Sequence, residues 1–353
     1  MHTKIKNIDI VAIASCLPQN EFKFETLYDT YGKDEVNKII KTTGISSINI
    51  ADKMLTSSDL CEEAAKIIIN ELNIDVNSVD GLIFVSQTPD YLLPQTSHIL
   101  QHKLGLPINC FCLDIRLGCS GFIHGLFQAS LLINSGSYKR ILVLAGDITT
   151  SLISDKDRAS RMVFGDAGTA TLVEKGDNEC NFSIYSDGSG YNQLIVPSGG
   201  SRYPKNDNSS NLKEAEDGNW RSDENLFMDG SAIFNFVLRT VPSLLDEIIV
   251  NTKWEKSDID TFAIHQANKF IVEYIAKKIQ VDKNKIPVVV DGFGNTGPSS
   301  IPLLFSEIGD SLKLFNKLNK VILAGFGVGL SWAGLSCNLN NTLFFKPIRY
   351  KTK

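Results

Sequence analysis

Short, nearly continuous apolar runs alternate along the chain with longer stretches whose apolar residues recur every three or four positions. That is the pattern of buried strands interleaved with amphipathic helices. The runs at 8–15, 79–86, 110–115 and 140–145 predict strands, and FGDAGTATLVE at 164–174 opens another. A helix is predicted over 57–72, where Leu60, Ala64, Ile67 and Ile68 share a face and Ser57 or Ser58 supplies the N-cap. Further helices are expected over 22–41, 94–104, 120–134 and 230–250, with Gly136 closing the third. Between 186 and 225 the periodicity lapses into Gly, Ser, Asn and Asp, which predicts a surface excursion lying over some other part of the molecule.

The pattern then repeats. The strand at 79–86 has a counterpart at 259–264, followed by a helix over 269–279. FCLDIRLGCSGF at 111–122 corresponds to PVVVDGFGNTGPSS at 287–300, each a strand, a glycine turn and a helix start. KRILVLAG at 139–146 corresponds to KVILAG at 320–325. The repeat implies two similar β-α-β-α-β halves, 1–175 and 176–353, related by a pseudo-two-fold axis. Their apolar strands would be covered on both faces. Cys119, His265 and Asn295 then end corresponding strands and are expected to meet.

Composition narrows the class. With 353 residues, 43% hydrophobic and 21% charged, the chain reads as a globular α/β protein. A net charge of −5 gives no nucleic-acid footprint. No apolar run approaches the roughly 18 residues a membrane span needs. Lys4 and Lys6 precede a run ending in Ile13-Ala14-Ser15-Cys16, but Asp9 interrupts it and it is too short for a secretion signal. The seven cysteines are odd in number and widely spread, which predicts no disulfide framework and a cytoplasmic setting. Neither they nor the five histidines have metal-ligand spacing.

The candidate chemistry centres on Cys119, placed between a strand and the first turn of a helix, with Gly118 and Gly121 leaving room for a partner group. A helix start favours the thiolate, so the thiol is expected below its usual pKa of about 8.5. A thiol, an imidazole and an amide form a recurring acyl-transfer set: Cys119 accepts an acyl group, while His265 and Asn295 donate hydrogen bonds to one oxyanion. Gly292-x-Gly294-x-x-Gly297 matches a dinucleotide fingerprint in letters, but the acidic residue expected about 20 positions on is missing. Leu117 stands where a serine-hydrolase elbow needs its first glycine.

Taken in order, GCSGF at 118–122, FGDAGTA at 164–170, HQAN at 265–268, GNTGPSS at 294–300 and GFGVGLSW at 325–332 resemble the β-ketoacyl-acyl-carrier-protein synthase III family of the thiolase superfamily. The resemblance spans essentially the whole chain. It implies a thiolase fold in five αβαβα layers, a homodimer, and no cofactor beyond CoA or phosphopantetheine thioesters as substrates. It implies that Cys119 is loaded from an acyl-thioester, usually acyl-CoA. Malonyl-acyl-carrier protein then loses carbon dioxide and its carbanion attacks the acyl-enzyme, with His265 and Asn295 on the enolate. The N–H groups of Cys119 and the Gly327–Val328 loop would hold the tetrahedral oxyanion.

By the same resemblance Asn268 contacts pantetheine and Phe164 stands beside the nucleophile. Arg158 flanks the adenine site, Leu93 of a dimer partner caps the acyl pocket, and Lys269, Lys277 and Lys278 face the carrier protein. The chain departs from the family at Lys38, where a tryptophan is usual, and at 42–46, where two arginines are missing. Lys269 and Phe270 stand where an arginine usually follows HQAN, and Leu93 replaces a phenylalanine. These changes point to an unusual acyl donor. The alternative expectation is a specialised acyltransferase that passes the acyl group to an O- or N-nucleophile.

Overall fold

A computed structural model describes residues 1–315 and 317–351. Its main elements are β1 (His2–Leu17), α1 (Lys33–Thr43), α2 (Ser57–Glu71), β2 (Gly81–Val85), α3 (Thr96–Lys103), β3 (Phe111–Ile115), α4 (Gly121–Asn134), β4 (Arg140–Asp147) and β5 (Ala167–Ser186). The second half continues with α5 (Gly230–Thr252), β6 (Thr261–Ile264), α6 (Lys269–Ile279), α7 (Ser300–Phe315), β7 (Val321–Gly327) and β8 (Ser331–Cys337). One ten-stranded sheet holds these strands in the order β6-β7-β8-β5-β4-β2-β3, with β1 along β5.

The two halves use the same pairing scheme. β2 runs parallel to β4 and β6 parallel to β7, while β4–β5 and β7–β8 are antiparallel. β5 serves both halves: its first part pairs with β4, its last part with β8, and β1 pairs antiparallel along nearly all of it. The expected boundary after residue 175 falls inside this strand. The far edge of β1 is closed by two short parallel strands from the end of the chain, Leu343–Phe344 and Ile348–Arg349.

Three apolar clusters define the layers. Phe122, Ile123 and Leu126 of α4 meet Ile301, Leu304 and Phe305 of α7 in the middle. Leu60, Ala64 and Ile68 of α2 cover the outer face of the first half, and Leu244, Val272 and Ile275 cover that of the second. The result is the αβαβα thiolase arrangement.

Four expectations change. Residues 22–41 form no single helix: Asn20–Lys23 pairs with Ser47–Ile50, and α1 starts only at Lys33, after Gly32 at φ 83°. The N-cap of α2 is Thr56, whose hydroxyl accepts the Asp59 N–H while the Asp59 carboxylate accepts the Thr56 N–H. Ser57 and Ser58 are buried and donate to the Thr88 carbonyl and Asp90 instead. β3 is half-exposed throughout rather than covered, because it is the last strand at its end of the sheet.

The fourth is the strand expected at 287–290, which is extended but joins no ladder. Pro287 has no N–H to give, and the buried Gln266 side chain takes the neighbouring strand's place. Its amide donates to Ile264 and Pro287 carbonyls and accepts the Val289 N–H at 2.8 Å. Gln266→Ala strands these backbone groups, so urea unfolding should show a loss of about 3 kcal/mol.

Candidate active site

Cys119 follows β3 and sits just before the N-cap of α4, so the helix start faces its sulfur. The backbone of β7 lies directly on it. A Cβ at Gly325 would stand 2.7 Å from the Cys119 carbonyl oxygen, and one at Gly327 2.9 Å from Sγ. Both positions therefore have to be glycine. The loop after β7 is tied down by Ser331, whose hydroxyl bonds that of Ser120 at 2.7 Å and donates to the Val328 carbonyl at 2.8 Å.

The expected acidic thiol is not what the site creates. Burial, helped by the nearby Asp147 carboxylate, pushes the Cys119 thiol up to about 12, against the N–H groups of Cys119 and Val328 that favour the anion. A helix end contributes about 1 kcal/mol, less than one pKa unit, so burial wins. Those two N–H groups are nonetheless aimed at the sulfur, in the place where an oxyanion formed on it would sit.

His265 ends β6, its N–H donating to the Ala324 carbonyl at 2.8 Å. Burial pushes its imidazole down to about 3, so the ring is neutral. Nδ1 lies 2.6 Å from the Ser300 hydroxyl, and that oxygen also accepts the Gln266 N–H at 3.4 Å. When the Ser300 hydroxyl donates its hydrogen bond to Nδ1, the neutral ring carries its hydrogen on Nε2. Asn295 is set in the same way: its Oδ1 accepts the Gly297 N–H at 3.0 Å, leaving the Nδ2 group as donor. Backbone bonds from Asn295 to Val163 and from Gly165 to Asn295 clamp the intervening Phe164.

Two cavities meet at the cysteine. One, of about 220 Å³, is lined by Leu152, Leu194 and Leu226 together with Gln87, Arg116 and Asp147. The second, of about 290 Å³, holds His265, Asn295, Asn268 and Phe326. Cys119, Phe164 and Leu194 line both. The site thus offers a nucleophile, two backbone donors and two neutral side-chain donors, enough for two separate oxyanions.

The expected residues divide. Cys119, His265 and Asn295 come together as the repeat implied. Phe164 lines both cavities, Val328 the first and Asn268 the second, where its Oδ1 also caps α6 by accepting the Ile271 N–H. Lys269, Lys277 and Lys278 are exposed on α6, whose first residues wall the second cavity. Arg158 borders neither cavity and faces Glu35 at 3.6 Å. Leu93 is 82% exposed and lines neither. Sequence reasoning missed Gln87, Arg116, Asp147 and Ser300. Asp147 carried a signal: it ends an otherwise apolar strand, one residue beyond the segment that revealed the repeat.

Family models for 3-oxoacyl-[acyl-carrier-protein (ACP)] synthase III match residues 113–188 and, for its C-terminal part, 249–339. A putative 3-oxoacyl-[acyl-carrier-protein] synthase 3 of Campylobacter jejuni is 34% identical over 100% of this chain and 99% of its own. A β-ketoacyl-[acyl-carrier-protein] synthase III of Caldanaerobacter subterraneus is 33% identical over 92% and 95%. The crystal structure of a 3-oxoacyl-(acyl-carrier protein) synthase from Burkholderia xenovorans superposes with a TM-score of 0.91, at 36% identity and 99% coverage of both chains.

The electrostatics can be tested without substrate. Iodoacetamide alkylation of Cys119, followed by peptide mass spectrometry, should be slow at pH 7 and keep rising by about tenfold per pH unit beyond pH 9, where an ordinary thiol levels off. The ¹⁵N shifts of His265 should remain those of a neutral ring from pH 8 down to pH 5.

Proposed function

Because the chain belongs to the 3-oxoacyl-[acyl-carrier-protein] synthase III family of condensing transferases, we propose that Cys119 takes an acyl group from an acyl-thioester and passes it to a carbanion made by decarboxylating malonyl-acyl-carrier protein. The observation that carries this reading is the single thiol at the junction of two cavities, each with its own oxyanion donors.

In the first half-reaction the thiol loses its proton as sulfur adds to the thioester carbonyl. The Cys119 and Val328 N–H groups bind the resulting oxyanion. Collapse expels the donor thiol, which takes up a proton, and leaves the acyl group on Cys119 beside the first cavity. In the second, the malonyl thioester enters the other cavity and its C–C bond to the carboxylate breaks. Carbon dioxide leaves with the bond electrons remaining on the enolate, whose oxygen accepts hydrogen bonds from His265 Nε2 and Asn295 Nδ2. A neutral histidine suits this step, since an imidazolium would hand its proton to the enolate. The carbanion attacks the acyl-enzyme carbonyl, the C–S bond breaks, and the sulfur is reprotonated. The product is a 3-oxoacyl thioester.

Asn268 and the start of α6 line the path of the pantetheine arm, and exposed Lys269, Lys277 and Lys278 offer an acidic carrier protein a docking face. Acyl-CoA as donor fits less readily, because Arg158 is turned to Glu35 and the arginines usual at 42–46 are absent. A homodimer through β3 would cover that half-exposed edge strand together with Leu92, Leu93 and Ile108, which are 88%, 82% and 101% exposed.

Incubation with acyl-thioesters should add the acyl mass to Cys119, and malonyl-acyl-carrier protein should then release carbon dioxide and a product longer by two carbons. An acyl-enzyme that instead passes its acyl group intact to an alcohol or amine would select the acyltransferase alternative. His265→Ala and Asn295→Ala should each slow condensation by about 10²–10³-fold while Cys119 still loads. Sedimentation equilibrium should return twice the 38.9 kDa chain mass; a monomer at micromolar concentration would remove the dimer.

A further inference from the structure

We propose that the acyl group carried by Cys119 ends in a carboxylate, and that Arg116, with Gln87, is the group that recognises it. The inference rests on the acyl-thioester reading above and names the substrate class of that same site.

The first cavity is mainly apolar, lined by Leu152, Leu194, Ile195, Val196 and Leu226, but Gln87, Thr88, Arg116, Asp147 and Thr149 line it too. Much of that polarity is already answered. Asp147 Oδ1 accepts from the Ser86 hydroxyl at 2.8 Å, the Gln87 N–H at 2.7 Å, the Thr88 N–H at 3.2 Å and the Thr88 hydroxyl at 3.1 Å. The Thr88 hydroxyl also accepts the Ile148 N–H. Oδ1 is spent on the protein, whereas Oδ2 has no hydrogen bond among the described residues.

Arg116 and Gln87 are different. Among the described residues the Arg116 guanidinium has no ion pair or hydrogen bond, and the Gln87 side-chain amide has no hydrogen bond. The Gln87 side chain lies over the backbone of Gly118, where a Cβ would stand 2.2 Å from its Oε1, next to the turn that carries Cys119. Arg116 lies three residues before Cys119 and is exposed on its outer side, closing this cavity with a charge that keeps contact with water. The Thr149 hydroxyl is a third group without a hydrogen bond among the described residues, on a residue only 8% exposed.

A methyl-terminated chain would displace water from the Gln87 amide and the Thr149 hydroxyl and give nothing back. A carboxylate can take both arms of the guanidinium fork and the Gln87 amide hydrogens. Asp147 brings an opposing charge, since a carboxyl raised by burial to about 6 is still mainly ionised at pH 7, and the Arg116 guanidinium has to offset it. A short diacid monothioester would lay its methylenes against the leucines of this cavity.

The test compares three four-carbon donors, succinyl, 3-hydroxybutyryl and butyryl, each on CoA and on acyl carrier protein, by the rate at which mass appears on Cys119. The intact protein should load succinyl at least about tenfold faster than butyryl, and in Arg116→Ala that ratio should fall to near one. Butyryl or 3-hydroxybutyryl loading as fast as succinyl overturns the inference, as does an Arg116→Ala variant that keeps the succinyl preference. The wild-type comparison decides the matter even if the variant fails to fold. Loading of butyryl without succinyl removes only this inference. Loading by none of the donors removes the acyl-thioester reading itself.

Discussion

The contact on which the site depends is between two backbones. β7 passes so close to Cys119 that no side chain fits at Gly325 or Gly327. That approach brings the second half of the molecule onto the nucleophile of the first and carries the Val328 N–H to the sulfur. It also fixes His265, because β6 is laddered to β7 and the His265 N–H continues the ladder to Ala324. Asn295 comes in from the other side, bonded to the backbone flanking Phe164. Three residues from distant parts of the chain are thus positioned by main-chain bonds, which hold geometry better than flexible side chains do.

Burial governs the charge state of everything at this junction. The thiol is kept protonated and the imidazole neutral, while the one nearby carboxylate is held by four donors. The site therefore stores no thiolate–imidazolium pair. In the proposed reaction charge develops there only when a substrate carbonyl arrives to share it, and the donors in place are neutral and already oriented. This is stabilisation by fixed dipoles, which needs little reorganisation as the reaction proceeds.

Most of the architecture was legible because the chain says it twice. The recurrence of strand, glycine turn and helix start at a near-constant interval exposed the two-fold design and pointed to Cys119, His265 and Asn295 before any coordinates. What stayed hidden followed from contacts that leave no period in a sequence. The segment at 287–290 has strand letters, yet a side-chain amide from Gln266 stands in for its neighbour. The thiol's acidity was misjudged because a helix start can be read locally, whereas its burial comes from β7, two hundred residues away. Arg116 and Gln87 looked like ordinary polar residues beside a strand and a turn. Their exposure to the same cavity is a fact of three dimensions.

The shared ribbon of β1 and β5 has a consequence for how the protein is born. β1 is made before β5, its partner along one edge, and well before Leu343–Phe344 and Ile348–Arg349, which close its other edge at Ala12–Ile13 and Cys16–Leu17. At about 5–20 residues per second, that last edge stays open for on the order of tens of seconds. An apolar strand waiting that long invites pairing with a neighbouring nascent chain. The charges of β1, Lys4, Lys6 and Asp9, all lie before the stretch Ala12–Leu17, which carries none of its own while it waits for those later strands.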